Sequence, residues 1–163
     1  MRRPLLIAHR GLLHGPDLDL ENRPDTIEHA RDAGYDVELD LWYHSGEFKL
    51  GHDSPVHTVS ARWLEQVNRD SYLDQHHAWI HTKNIEALHA LRKMGWEGHL
   101  FFHNTDDAVI TNTGYIWTYP GKTLTDLSVC VMPEWNGLVE TASELCVHGF
   151  CTDYVKELEA RLN

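Results

Sequence analysis

Residues 35–42 alternate strictly, with Asp36, Glu38 and Asp40 on one face and Val37, Leu39 and Leu41 on the other. That period of two belongs to a β-strand, whose successive side chains point to opposite sides of a sheet. Short apolar runs at 5–8, 78–80, 99–102, 115–118, 128–132 and 146–151 read as further strands, and residues 48–50 as an extension after a Ser45-Gly46 turn. Between them the spacing changes. Ile27, Ala30 and Ala33 behind Pro24-Asp25, and Ile85, Leu88 and Leu91 behind Asn84, recur at helical intervals, with Gly34 and Gly95 as stops. A further helix is expected at 60–67 and a last one running to Leu162.

Strands alternating with helices predict an α/β fold with a parallel sheet and helices outside it. Most strands finish in a polar or ionisable group: His9-Arg10, Glu38 and Asp40, His81 and Lys83, His103-Asn104, Glu134, Asp153. In a parallel barrel such ends gather at one mouth, where barrel enzymes keep their chemistry. A complete barrel of this type needs at least about 200 residues, and this chain has 163. The expectation is therefore one domain over 1–163, a reduced TIM-type (β/α) barrel with parallel strands in which some helices or one strand are missing or irregular.

Charge narrows the partners. The formal net charge is −11, which argues against holding nucleic acid or an anionic membrane surface through clustered Lys and Arg. The apolar runs fall far short of the roughly 20 residues that span a bilayer, and residues 1–8 lack the apolar core of a signal peptide. A soluble cytoplasmic protein without integral membrane contact is expected, and the pattern specifies no oligomeric state. Cys130, Cys146 and Cys151 show no metal-binding spacing and read as reduced structural thiols. Histidine is abundant, with 13 residues; His14, His29, His44, His57, His76, His77, His89, His99 and His148 read as ordinary surface positions.

Ala8-His9-Arg10-Gly11, Glu21-Asn22, Glu38-Leu39-Asp40 and Gly51-His52-Asp53, in that order, carry the chemical signal. The ordered set resembles the N-terminal signature of the glycerophosphodiester phosphodiesterase family, among the phosphatidylinositol-specific phospholipase C-like barrels. The likeness is good over residues 5–53 and fainter through Lys83, Trp117-Thr118 and Thr152-Asp153-Tyr154.

Glu38 and Asp40 project to one side of a strand with Cα atoms roughly 6.5 to 7 Å apart, near enough to grip one divalent cation. Hard oxygen ligands suit Mg²⁺ first, with Ca²⁺ or Mn²⁺ as alternatives. His9 and His52 can take and give the two protons of phosphodiester cleavage near neutral pH. The resemblance implies that these two are the acid/base histidines, that Arg10 and Lys83 neutralise phosphate oxygens, and that Glu21 lies at or near the metal. One departure stands out. The family has Glu-x-Lys on the third strand, with the glutamate a metal ligand, whereas this chain has His81-Thr82-Lys83. Histidine as ligand removes a negative charge and moves preference towards Mn²⁺ or Zn²⁺; the alternative is that His81 only hydrogen-bonds to the phosphate or to Glu38, and Glu134 is a candidate replacement carboxylate. His103 and Trp117 are expected to face substrate, and Trp42, Trp79, Trp96 and Trp135 to be core or rim.

Together these imply a metal-dependent phosphoric diester hydrolase acting on a small soluble glycerophosphodiester-type substrate. The low basic content counts against a lipid-directed phospholipase. A degenerate barrel that binds a phosphorylated metabolite without turnover is the competing expectation.

Overall fold

The computed structural model describes residues 3–69 and 75–163; Met1 and Arg2, where the segment read for a leader begins, lie outside them. Strands are β1 (Leu5–Ala8), β2 (Asp36–His44), β3 (Glu47–Leu50), β4 (His57–Val59), β5 (Ala78–Thr82), β6 (His99–Phe101), β7 (Ala108–Ile110), β8 (Ile116–Thr118), β9 (Ser128–Val131) and β10 (Gly149–Thr152). Helices are α1 (Pro24–Asp32), α2 (Ala61–Asn68), α3 (Ile85–Lys93) and α4 (Val155–Leu162). Local chemistry explains their limits. Pro24 opens α1, whose missing N–H costs nothing in the first turn. The Ser60 and Asn84 side chains accept from the Trp63 and Ala87 amides at the starts of α2 and α3.

The ten strands form one mixed, curled sheet. Parallel pairings run β6–β5–β2–β1–β10–β9–β8, so seven strands follow the order a barrel needs. The expectation of parallel strands throughout needs correction, because β3, β4 and β7 pair antiparallel. The Ser45-Gly46 turn causes the first exception: both residues have positive φ, the conformation that folds a strand straight back on itself. Among the described residues no ladder joins β6 to β8. The gap is bridged by Asn112, whose Oδ1 accepts from the Leu100 amide at 2.7 Å and whose Nδ2 donates to the Gly98 carbonyl at 3.0 Å. Phe101 and Trp117 stack across the same gap at 4.6 Å. The result is a half-barrel form compatible with an irregular barrel.

Helices cover only part of the outside. The segment between β9 and β10 has two short 3₁₀ turns, Pro133–Asn136 and Ala142–Glu144, and packs Leu138, Val139, Ala142 and Leu145 onto the core in place of an α-helix, in line with the expectation that some helices are missing. Met132 takes a left-handed backbone at φ 47° and ends β9.

The period of two sorts the core. Val37, Leu39, Leu41 and Ile80 face the helices, while Ile7, Trp79, Phe101, Trp117, Val129 and Cys151 fill the inside of the curl. Asp36, Glu38 and Asp40 lie on that inner face, all under 5% exposed. Two of the histidines read as surface are drawn in beside Asp36. His77 Nδ1 lies 2.7 Å from Asp36 Oδ1, and His99 is only 9% exposed, stacked on Trp79 at 3.7 Å. Cys130 and Cys151 are buried free thiols as expected, whereas Cys146 is exposed. No helix of the described residues is long and apolar enough to cross a membrane.

Candidate metal and phosphate site

The ends of the parallel strands converge on a cavity of about 210 Å³ lined by His9, Arg10, Glu38, Asp40, His52, His81, His103, Tyr119 and Trp135, among others. Glu38 and Asp40 reach it from β2 because they are two residues apart. His81 reaches it from β5 because the parallel register places it beside Asp40. One ligand atom each of Glu38, Asp40 and His81 lies within 4.8 Å of the others. Two hard carboxylates and one imidazole, all turned to one point, are a donor set that can hold a metal ion. Glu21 is outside this trio; its Oε2 accepts from Arg10 Nη1 at 2.8 Å. Glu134 is outside it as well, with both carboxylate oxygens 2.9 Å from Thr152 Oγ1.

Asp40 is crowded by positive charge. Arg10 Nε lies 3.1 Å from Oδ2, His81 Nδ1 3.0 Å from Oδ1, and Lys83 Nζ 3.5 Å from Oδ1. Burial would push its pKa up, but the His81 hydrogen bond and the charges of Arg10, His81 and Lys83 hold it well below the ordinary carboxylate range. Glu38 goes the other way. Burial and the neighbouring Asp40 charge raise it, against the lesser pull of His9 and Arg10. Asn22 locks Asp40 in place: its Nδ2 donates to Oδ2, and its Oδ1 accepts from the Asp40 amide, both at 2.9 Å. That bidentate clamp is the job of the Asn in the Glu-Asn pair.

The backbone at Arg10 has φ 52° and ψ 25°, and Asn22 has φ 58°. Of the four non-glycine residues with positive φ among the described residues, three are at this cavity and Ser45 is not; strained backbone of this kind tends to collect at functional sites. Gly11 lets the chain pass α1, since a Cβ there would meet the Ile27 backbone at 3.0 Å. Gly51, at φ +147°, would carry a Cβ only 2.1 Å from the Ser54 carbonyl oxygen, and its own carbonyl accepts from Trp42 Nε1 at 2.6 Å. The His52 loop is thereby fixed.

The two expected acid/base histidines both line the cavity and both hold a carboxylate on Nδ1, Asp153 for His9 at 2.7 Å and Asp53 for His52 at 2.7 Å. Each pairing engages Nδ1 and leaves Nε2 free of that carboxylate. His9 Nε2 lies 3.8 Å from Glu38 Oε2. Burial pulls the His9 pKa down, but the Asp153 hydrogen bond and the Glu38 charge outweigh it, and the imidazole ends above its ordinary value. Asp153 stands in the sequence only as a strand end and in the fainter part of the likeness, and the β1–β10 pairing reveals it as the partner of His9.

His103 and Trp117, read as substrate-facing, both line the cavity, with Trp117 itself buried. His103 stacks between His81 at 4.6 Å and Tyr119 at 4.2 Å. Burial and the charges of His81 and Lys83 lower His103 to about 4, keeping it neutral near pH 7. Burial and the Glu38 charge raise the Tyr119 phenol, so it remains a donor. Trp135 is 70% exposed at the rim. Comparison with family models, curated proteins and solved structures returned no match.

Proposed function

We propose that the chain is a metal-dependent phosphodiesterase that hydrolyses a small soluble glycerophosphodiester-type substrate to an alcohol and a phosphomonoester, on a reduced TIM-type barrel. The observation that carries this reading is the convergence in one small cavity of the Glu38, Asp40 and His81 trio with a histidine on each of two carboxylates. A divalent ion, Mg²⁺ or alternatively Ca²⁺ or Mn²⁺, held by that trio would supply Lewis-acid stabilisation of a non-bridging phosphate oxygen. Arg10 and Lys83 add fixed positive charge where the transition state gains negative charge. His9 and His52, each with Nε2 free of its carboxylate, divide the proton work: one takes the proton of the attacking oxygen and the other gives one to the leaving alcohol. Glu21 orients the Arg10 guanidinium.

The reading predicts turnover of glycerophosphodiesters and a generic aryl diester that a chelator abolishes, that one of Mg²⁺, Mn²⁺, Ca²⁺ or Zn²⁺ restores, and that His9→Ala and Glu38→Ala each remove. Folded protein without turnover in any metal overturns it. One observation favours a second reading, a barrel that binds a phosphorylated metabolite without hydrolysing it: Asp40 is already paired with Arg10 and Lys83 and hydrogen-bonded to His81. Phosphomonoester binding that ignores chelator, with no product from any diester, selects that reading.

A further inference from the structure

A groove of about 640 Å³ runs between α3 and the β2–β3 hairpin, and no residue lining it also lines the metal cavity. Its apolar lining comes from Tyr43 and Phe48 on the hairpin and from Ile85, Ala90 and Met94 on the helix side. Ile85 is 60% and Met94 43% exposed, so α3 offers large apolar side chains to water as well as burying Ala87 and Leu91. Single exposed apolar residues are ordinary, but several along one groove mark a contact surface.

The charges on that face point to what covers it. Glu86, His89 and Lys93 border the groove, and their side chains make no hydrogen bond or ion pair among the described residues. Elsewhere on the surface Arg3, Lys122 and Arg161 each hold a carboxylate. Seven residues apart on a helix, Glu86 and Lys93 lie within about 20° of one line along its axis. A twofold axis through the midpoint of that line, beside Ala90, turns a second copy of α3 antiparallel to the first. Glu86 then faces Lys93 of the partner subunit, and Lys93 faces Glu86 of the partner subunit. The small Ala90 at the crossing lets the two helices approach. Net charge favours the same occupant. At −11 each, two copies repel over most of their surfaces and can meet only where positive charge answers negative. On α3, Arg92 and Lys93 in the last turn answer Glu86 in the first.

We infer that the exposed face of α3 is a self-association surface on which two copies of the chain pair antiparallel as a homodimer. Such an interface is isologous: one patch is its own complement, and every contact occurs twice. Pairing takes Ile85, Met94 and the groove out of water. No residue lining the metal cavity lies on α3, so both copies keep that cavity's walls unchanged.

Sedimentation velocity of the full chain over a concentration series, with a thermal melt of every variant, tests the pairing. The wild type is expected to sediment as a dimer that dissociates on dilution. Glu86→Lys sets lysine against Lys93 of the partner subunit, and Lys93→Glu sets two glutamates together, each twice per dimer. Each exchange should weaken dimerisation by about tenfold or more, since like charges face to face are costly. Glu86→Lys also makes the chain less acidic, so relief of bulk repulsion alone would strengthen association instead. The double exchange reverses both signs, keeps the net charge and should restore the dimer to within about threefold of the wild type, as complementarity of this kind requires. Both residues are exposed and suit the helix dipole, so a small drop in melting temperature is expected from each exchange and is read apart from the dimer. A monomer at every concentration leaves the groove to a different partner and overturns the pairing. A dimer that both single exchanges leave intact, or one that the double exchange does not repair, overturns it as well.

Discussion

Asp36 and Glu38 are neighbours on the inner face of β2, yet they open onto opposite ends of the sheet. Asp36 borders a cavity of about 430 Å³ with His76, His77, His99 and His148, and Glu38 borders one of about 210 Å³ with His9, His52, His81 and His103. The end with the larger cavity is as rich in histidine, but its carboxylate is spent. Asp36 Oδ1 accepts from His77 and Oδ2 from Trp79 Nε1 at 2.9 Å, so that acid is a fastener in the fold. Glu38 receives a long bond of 3.2 Å from the Arg10 amide and has its pKa raised, an acid held ready and poorly satisfied. What separates the two ends is how far the protein has already answered the hydrogen-bonding needs of its buried carboxylates.

The sharpest way to break that contrast is Glu38→Gln. Turnover should fall by about 10³-fold or more, in the range seen when a transition-state electrostatic group is removed. The melting temperature should hold or rise, since a buried carboxylate with a raised pKa opposes folding when ionised. Activity assays beside a thermal melt check both, and a large loss of stability would place Glu38 among the fasteners with Asp36.

Acid should expose the other end. Burial, then the neighbouring His76 and His148, lower His99 to about 4 from an ordinary value of 6.5. The unfolded chain therefore takes up a proton below pH 6.5 that the folded chain refuses until about pH 4. Stability is complete above 6.5 and drains away as pH falls through that window, by at most about 3 kcal/mol. Denaturant melts from pH 7 to 4 should show the slope, and His99→Phe, which keeps a ring on Trp79, should flatten it by one proton. Asp36→Asn should cost about 2 kcal/mol of stability by stranding one of its two donors, with turnover within a few-fold of wild type. If Asp36→Asn abolished the proposed turnover instead, the two ends would be coupled.

How much of this was legible in the sequence follows the same division. The strict alternation over 35–42 and the strand-end polar groups were enough to predict an α/β sheet with Glu38, Asp40 and His9 at one mouth, because a strand reports its own two faces; His52 was legible only through the motif likeness. The antiparallel β3, β4 and β7 and the seam closed by Asn112 could not be read, since they depend on which short strands become neighbours. The same holds for Asp36, which has the same local pattern as Glu38 and takes its role from Trp79 and His77, some 40 residues away. Asp153 and Tyr119 were hidden likewise, each being one polar residue at the end of a short apolar run until β10 and β8 fall into place.

Asp153 gives the smallest effect and the finest test. Its carboxylate accepts from His9 Nδ1, which leaves Nε2 on the side of Glu38. Asp153→Asn preserves shape but brings an amide that can donate, and an amide turned donor-first stabilises the opposite tautomer, with Nε2 carrying the proton. Only a fraction of the protein would then hold His9 ready for its half of the proposed proton transfer. Loss of such an orienting partner costs on the order of tenfold, so kcat should drop by about that factor while KM, set by Arg10 and Lys83, stays within about twofold. Asp153→Ala, which imposes no tautomer, should lie between Asp153→Asn and the wild type if tautomer choice is the larger part, and below Asp153→Asn if simple anchoring of the ring is. An unchanged kcat in both would remove His9 from the proton path and leave His52 to act without it.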